Sequence, residues 1–100
     1  MMWKNICKAS ELDQDQGVSV TVEGKEIGVF LVDEKPYAIA DICPHAYARL
    51  SQGFVDGDTV ECPLHEAVFE IKTGKCTKGP GSDVTIYPIQ IVDGQVQIQL

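Results

Sequence analysis

The chain has little positive charge. Eight lysines and arginines stand against fifteen aspartates and glutamates, for a formal net charge of −7. Phosphate binding needs a basic stripe, so nucleic acid is excluded as a partner. The same balance favours a partner with a basic docking face, reached by electrostatic steering. No apolar run approaches the length of a membrane span. The opening "MMWKNICKAS" holds neither the apolar stretch of a signal peptide nor a twin arginine. A cytoplasmic protein with no membrane contact is therefore expected, in a compartment where thiols stay reduced. Helical periodicity is missing, as are repeats, linkers and low-complexity tracts. One hundred residues fit a single domain with a modest core. Histidine is scarce: both copies sit in short segments that also carry a cysteine and a proline.

What is present is mostly strand pattern. "VSVTVEGKEIGVFLVD" (18–33) alternates apolar and polar residues around Glu23-Gly24, a hairpin signal rich in valine and isoleucine. "PYAIA" continues it. "VTIYPIQIVDGQVQIQL" (84–100) is two alternating runs joined by Asp93-Gly94. Val96, Ile98 and Leu100 are expected on one face, with Gln95, Gln97 and Gln99 on the other. Pro88 interrupts its run and predicts an edge or a bulge. The stretch 41–81 is rich in turns (Asp56-Gly57, Thr73-Gly74, "KGPGSD"), with short strands expected near Thr59–Glu61 and Val68–Ile71. The reading is all-β. An antiparallel β-sandwich scaffold from about 1–40 and 82–100 carries an inserted loop-rich subdomain, about 41–81, within one domain.

Both cysteine–histidine segments fall in that insertion. Cys43-x-His45 is followed, after sixteen residues, by Cys62-x2-His65. The short spacings let each loop offer a thiolate and an imidazole to one centre. The long gap lets two loops clamp it from opposite sides, and Pro44 and Pro63 stiffen each pincer. Thiolate with imidazole suits iron–sulfur, zinc or copper. Two cysteines with two histidines match a [2Fe–2S] centre with two cysteines on one iron and two histidines on the other. Cys2His2 is also a zinc set, although C-x-H is not the usual finger spacing.

With its flanks, the pattern resembles the Rieske family. "CPH" and "CPLH" resemble its ligand motif. "LSQG" (Leu50–Gly53) resembles the bend after its first loop, "FEIKTGK" (Phe69–Lys75) the strand and turn after its second, and "GPG" (Gly79–Gly81) its proline loop. Over nearly the whole length the chain is similar to the small Rieske ferredoxins of bacterial aromatic-ring dioxygenases. The resemblance implies one [2Fe–2S] cluster, with Cys43 and Cys62 on the buried iron and His45 and His65 on the outer one. It implies a one-electron carrier without substrate chemistry of its own. The carrier would stand between an NAD(P)H-dependent flavin reductase and a terminal oxygenase, and is expected to be a monomer. It also implies that Pro80 packs over the cluster. Ala46, Tyr47, Leu64, Glu66, Ala67 and Phe69 would surround the cluster or face a partner.

Quinol-oxidising Rieske proteins carry an extra cysteine, a serine and a tyrosine in the second loop. Leu64, Ala67 and Phe69 occupy those places here. Without the hydroxyl donors, the reduction potential is expected near the low end of the Rieske range, roughly −150 mV. Glu66 replaces a usual glycine; its carboxylate either lowers the potential further and marks a docking face, or points into solvent. An oxygenase large subunit would need a second iron site, and no histidine is left to build one. Two other readings are a Rieske-like small subunit of a larger reductase, such as nitrite reductase, and a zinc-stabilised interaction module. Cys7 and Cys76 are expected to be small buried hydrophobes or inert thiols. Trp3 is read as core or N-terminal packing, and "ELDQDQG" (11–17) as a solvated acidic loop.

Overall fold

The run "KEIGVFLV" shows how the layers arise. In the computed structural model, which describes residues 2–44, 48–64, 66–79 and 82–100, it forms strand β3 (Lys25–Val32). Successive side chains of a strand point to opposite faces, yet Ile27, Val29, Phe30 and Val32 are all buried. Ile27 and Val29 enter one apolar cluster with Val96 and Ile98. Phe30 and Val32 enter another with Val60 and Phe69. β3 is thus covered on both faces, so the alternation expected over 18–33 gives way here to a continuous apolar run.

Its sheet is the middle layer. The order is β2 (Val18–Val22), β3, β4 (Lys35–Ala40) and β9 (Ile86–Tyr87), with antiparallel pairing throughout. Glu23 and Gly24 turn the first hairpin with φ of 50° and 80°, the left-handed pair of a two-residue type I′ turn. Asp33 and Glu34 turn the second with φ of 51° and 65°, a left-handed turn without glycine. One outer sheet has the order β1 (Lys4–Lys8), β11 (Gln95–Ile98), β10 (Ile89–Val92). Pro88 separates β9 from β10 at the point where the chain passes from the middle sheet to this one. The ring that cannot donate to a ladder marks the crossing.

The other outer sheet has the order β5 (Phe54–Asp56), β6 (Thr59–Glu61), β7 (Val68–Glu70), β8 (Cys76–Lys78). β6 and β7 fall where the sequence places strands. β5 and β8 do not show in the pattern, since neither has a fully buried position, whereas β6 and β7 each bury their central residue. Two single 3-10 turns, Ala9–Glu11 and Leu50–Gln52, are too short to leave a helical period.

The chain is all-β and antiparallel, as expected. Two details differ. Leu100 lies beyond β11 and is exposed, so the apolar face it was expected to share ends at Ile98. Of the two places read for Trp3, the core is overturned: it stands partly exposed before β1 and joins neither core cluster.

Candidate metal centre

Cys43 and Cys62 leave the ends of two antiparallel systems and meet in one core. β4 ends at Ala40, and Asp41 to Cys43 carry the chain out into the first loop. β6 ends at Glu61, and Cys62 opens the second. The two cysteines are only 2% and 1% exposed, and both pack in the cluster of Phe30, Leu50, Val60 and Phe69. Pro44, Leu64 and Glu66, further along the loops, are exposed. Each loop therefore keeps its thiol inside while its next residues reach solvent.

The loops close in the same way. The Cys43 N–H donates to the Ala48 carbonyl at 2.9 Å, and the Cys62 N–H donates to the Ala67 carbonyl at 2.9 Å. Each bond spans five residues, so each cysteine starts an equivalent loop with one histidine inside it. Val68 and Phe69, in β7, pair back to Glu61 and Val60 and hold the exit of the second loop. A third segment leans on that loop. Gly79, with φ +83°, lies so near that an added Cβ would stand 3.0 Å from the Ala67 Cα. Only glycine meets both the left-handed backbone and the close approach.

The neck of the first loop is built from polar groups, which the sequence pattern did not reveal. Asp41 is wholly buried. Its Oδ1 accepts the Ser51 N–H at 2.7 Å, and its Oδ2 accepts the Ser51 hydroxyl at 2.7 Å. Leu50 N–H donates to the Asp41 carbonyl at 2.7 Å, and Ile42 bridges Arg49. Arg49 grips Glu26 on β3 in a two-pronged fork of 3.0 and 3.1 Å and lies 3.7 Å from Asp41 Oδ2. These contacts push the Arg49 guanidinium value up, Glu26 foremost, and hold Glu26 below its usual range through hydrogen bonds from Arg49 first and Thr21 second. Nothing in the spacing of Glu26, Asp41, Arg49 and Ser51 announces this set; a carboxylate two places before a candidate ligand was the one available hint.

Of the expected site residues, Cys43 and Cys62 lie buried in the same core cluster. His45, Ala46, Tyr47, His65 and Pro80 lie outside the described residues. Leu64, 67% exposed, and Glu66 face solvent, whereas Ala67 and Phe69 are wholly buried. These last two can line a centre but cannot touch a partner. Cys7 and Cys76 carry free thiols and are half-buried rather than buried, each at the edge of a different core cluster. Burial first, and the Glu11 charge second, push the Cys7 thiol up, which makes it a poor nucleophile.

Two buried thiols, presented by matched loops that also carry a histidine each in sequence, form a donor set that fits a [2Fe–2S] cluster.

The comparisons agree with that chemistry. The family model described as a Rieske-like [2Fe-2S] domain matches residues 2–99. The anthranilate 1,2-dioxygenase ferredoxin subunit of Burkholderia cepacia is 37% identical over 98% of this chain and 92% of its own length. The solved ferredoxin of Sphingomonas yanoikuyae B1 superposes with a TM-score of 0.93 at 30% identity, over 99% of both chains. A ferredoxin solved as a complex of reduced oxygenase and oxidized ferredoxin in carbazole 1,9a-dioxygenase gives 0.88 at 31% identity, over 96% of this chain and 91% of that one.

Proposed function

Since the chain belongs to the Rieske-like [2Fe-2S] domain family, we propose that it is the ferredoxin of an aromatic-ring dioxygenase system, carrying single electrons from an NAD(P)H-dependent flavin reductase to the terminal oxygenase. When bound, a [2Fe–2S] cluster takes up and gives back one electron. The observation that carries the reading is the pair of buried cysteines in twin loops, within a chain that matches such ferredoxins from end to end.

Cys43 and Cys62 hold the inner iron, and His45 and His65 the outer one. The burial of both cysteines keeps water from the thiolate side, while Pro44, Leu64 and Glu66, the exposed neighbours of the histidines in sequence, stand where the electron would leave. Residues 41–81 act as the cluster-binding subdomain on a scaffold of about 1–40 and 82–100, and Pro80 packs over the cluster. Ala46, Tyr47, Leu64 and Glu66 face the partners. Ala67 and Phe69 replace hydroxyl donors with apolar groups, so the midpoint lies near the low end for Rieske centres, roughly −150 mV. Among the described residues none is assigned substrate chemistry, and both histidines are assigned as ligands. The protein is a cytoplasmic monomer, and its net charge of −7 steers it to basic docking faces.

The test is an anaerobic redox titration of the purified protein at pH 7, followed by mixing with a cognate reductase and NAD(P)H. A brown protein with a midpoint clearly below zero, reduced through the flavoprotein, is expected. A fresh anaerobic sample without a redox-active absorption band would overturn the reading. A high positive midpoint would overturn the role given to Leu64, Ala67 and Phe69.

A further inference from the structure

Asp41 is the one acidic side chain sunk wholly into the core among the described residues, and the apolar packing does not require it. A buried carboxyl group is costly unless its oxygens are satisfied. Here both are satisfied by one residue on the far side of the first loop, through the Ser51 N–H and hydroxyl, each at 2.7 Å. Room is left on the other flank by Gly28 of β3, where an added Cβ would stand 2.7 Å from Asp41 Oδ1. The chain leaves β4 just before Asp41 and comes back past it at the 3-10 turn Leu50–Gln52, so this pair ties the entry of the first loop to the turn that follows the loop. Arg49, forked onto Glu26, locks the same return segment to β3 from outside.

The return segment also touches the second loop. Gly53 follows Ser51 by two residues, and an added Cβ there would collide with the backbone carbonyl of Glu61, the residue before Cys62. Asp41 lies two residues before Cys43. One short path therefore runs from the entry of one cysteine loop to the entry of the other: Asp41, Ser51, Gly53, Glu61.

We propose that Asp41 is a positioning residue for the cluster, clasping Ser51 so that Cys43 is held at a fixed distance and angle from Cys62. The inference rests on the two cysteines as ligands. A bidentate acceptor fixes direction as well as distance, which a packed apolar pair of the same size does not. A cluster bridging two independently hinged loops would be strained or lost whenever the hinge opened. With the neck clasped, the thiol positions are set before the metal arrives.

The experiment uses the iron-loaded full chain, with the variants Ser51→Ala, Asp41→Asn and Asp41→Ala. Iron release to a ferrous chelator is followed well below the unfolding temperature, beside the electron paramagnetic resonance spectrum of the dithionite-reduced protein. Ser51→Ala, which keeps the N–H bond and loses the hydroxyl bond, is expected to release iron about three- to tenfold faster, the size of one buried hydrogen bond. It should also broaden the resonance lines, because the iron environment becomes heterogeneous. Asp41→Asn can accept the N–H and donate to the hydroxyl oxygen, so it should restore sharp lines and near-wild-type release. Asp41→Ala, if it folds, should exceed Ser51→Ala in both. Unchanged lines in Ser51→Ala, with iron release faster only by the factor of its global unfolding, would overturn the inference and leave Asp41 as ordinary core structure. A wild-type protein that binds no iron would instead overturn the ligand assignment on which it depends.

Discussion

At the scale of single residues, the site is set by where polarity is withheld and where it is kept. Ala67 and Phe69 are wholly buried beside the cysteine loops. Ala67→Ser and Phe69→Tyr each return a hydroxyl that can donate toward the cluster. Each should raise the midpoint, by about 60 mV for every tenfold shift in the one-electron equilibrium, as read by redox titration. An unchanged midpoint would mean that the new hydroxyl points elsewhere. Glu26 gives the pH-dependent case. Its folded value lies below the usual glutamate range because Arg49 and Thr21 donate to it. Its contribution to stability is therefore complete above the ordinary value and fades as pH falls through the lowered one. Glu26→Gln should melt below the wild type at neutral pH, and the gap should narrow in acid. Both partners are about one-third exposed (36% and 30%), so the difference should be small and screened by salt.

At the scale of elements, short strands and tight approaches do the positioning. β5 to β8 are three residues each, too short to hold their place by ladder bonds alone. They depend on Val60, Phe69 and Ile71 packing on Phe30 and Leu50. The approach of Gly53 to the Glu61 carbonyl locks this sheet to the 3-10 turn Leu50–Gln52. Gly53 has an ordinary φ of −81°, so any cost of adding a methyl there is steric. Gly53→Ala is expected to lose about 1 to 3 kcal/mol, the usual range for overpacking. Thermal melting of the holoprotein should show this as a drop of roughly 4 to 8 °C per kcal/mol in a domain of this size. A variant that melts with the wild type would show that β5 can shift without cost.

At the scale of the whole molecule, the described residues form two cores of different kinds. The cluster of Ile27, Val29, Ala38, Val96 and Ile98 is closed by two sheets and contains no candidate ligand. The other contains Cys43 and Cys62 and is completed only where the loops meet. Metal removal should therefore act unevenly. In hydrogen exchange of the chelated protein, amides of 43–48 and 62–67 should lose protection first, while β2, β3 and β11 stay protected. Uniform loss over the chain would mean that one cooperative unit spans both cores.

The sequence by itself determined the chemistry and most of the strand plan. Cysteine and histidine occur so rarely that their spacing stands out from any structural background. Glu23-Gly24 and Asp93-Gly94 announce their turns because left-handed backbone favours glycine, and Pro88 announces a break because it lacks a donor. Only the tertiary structure decided the rest. Asp33-Glu34 turns without glycine because the pairing of β3 with β4 imposes the left-handed pair on residues that rarely choose it. Leu100 follows the alternation in sequence but has no layer to cover it. The Asp41–Ser51 clasp joins residues ten apart whose types carry no periodic signal. A hydrogen bond between buried groups depends on where the backbone brings them, and that is settled only when the sheets have packed.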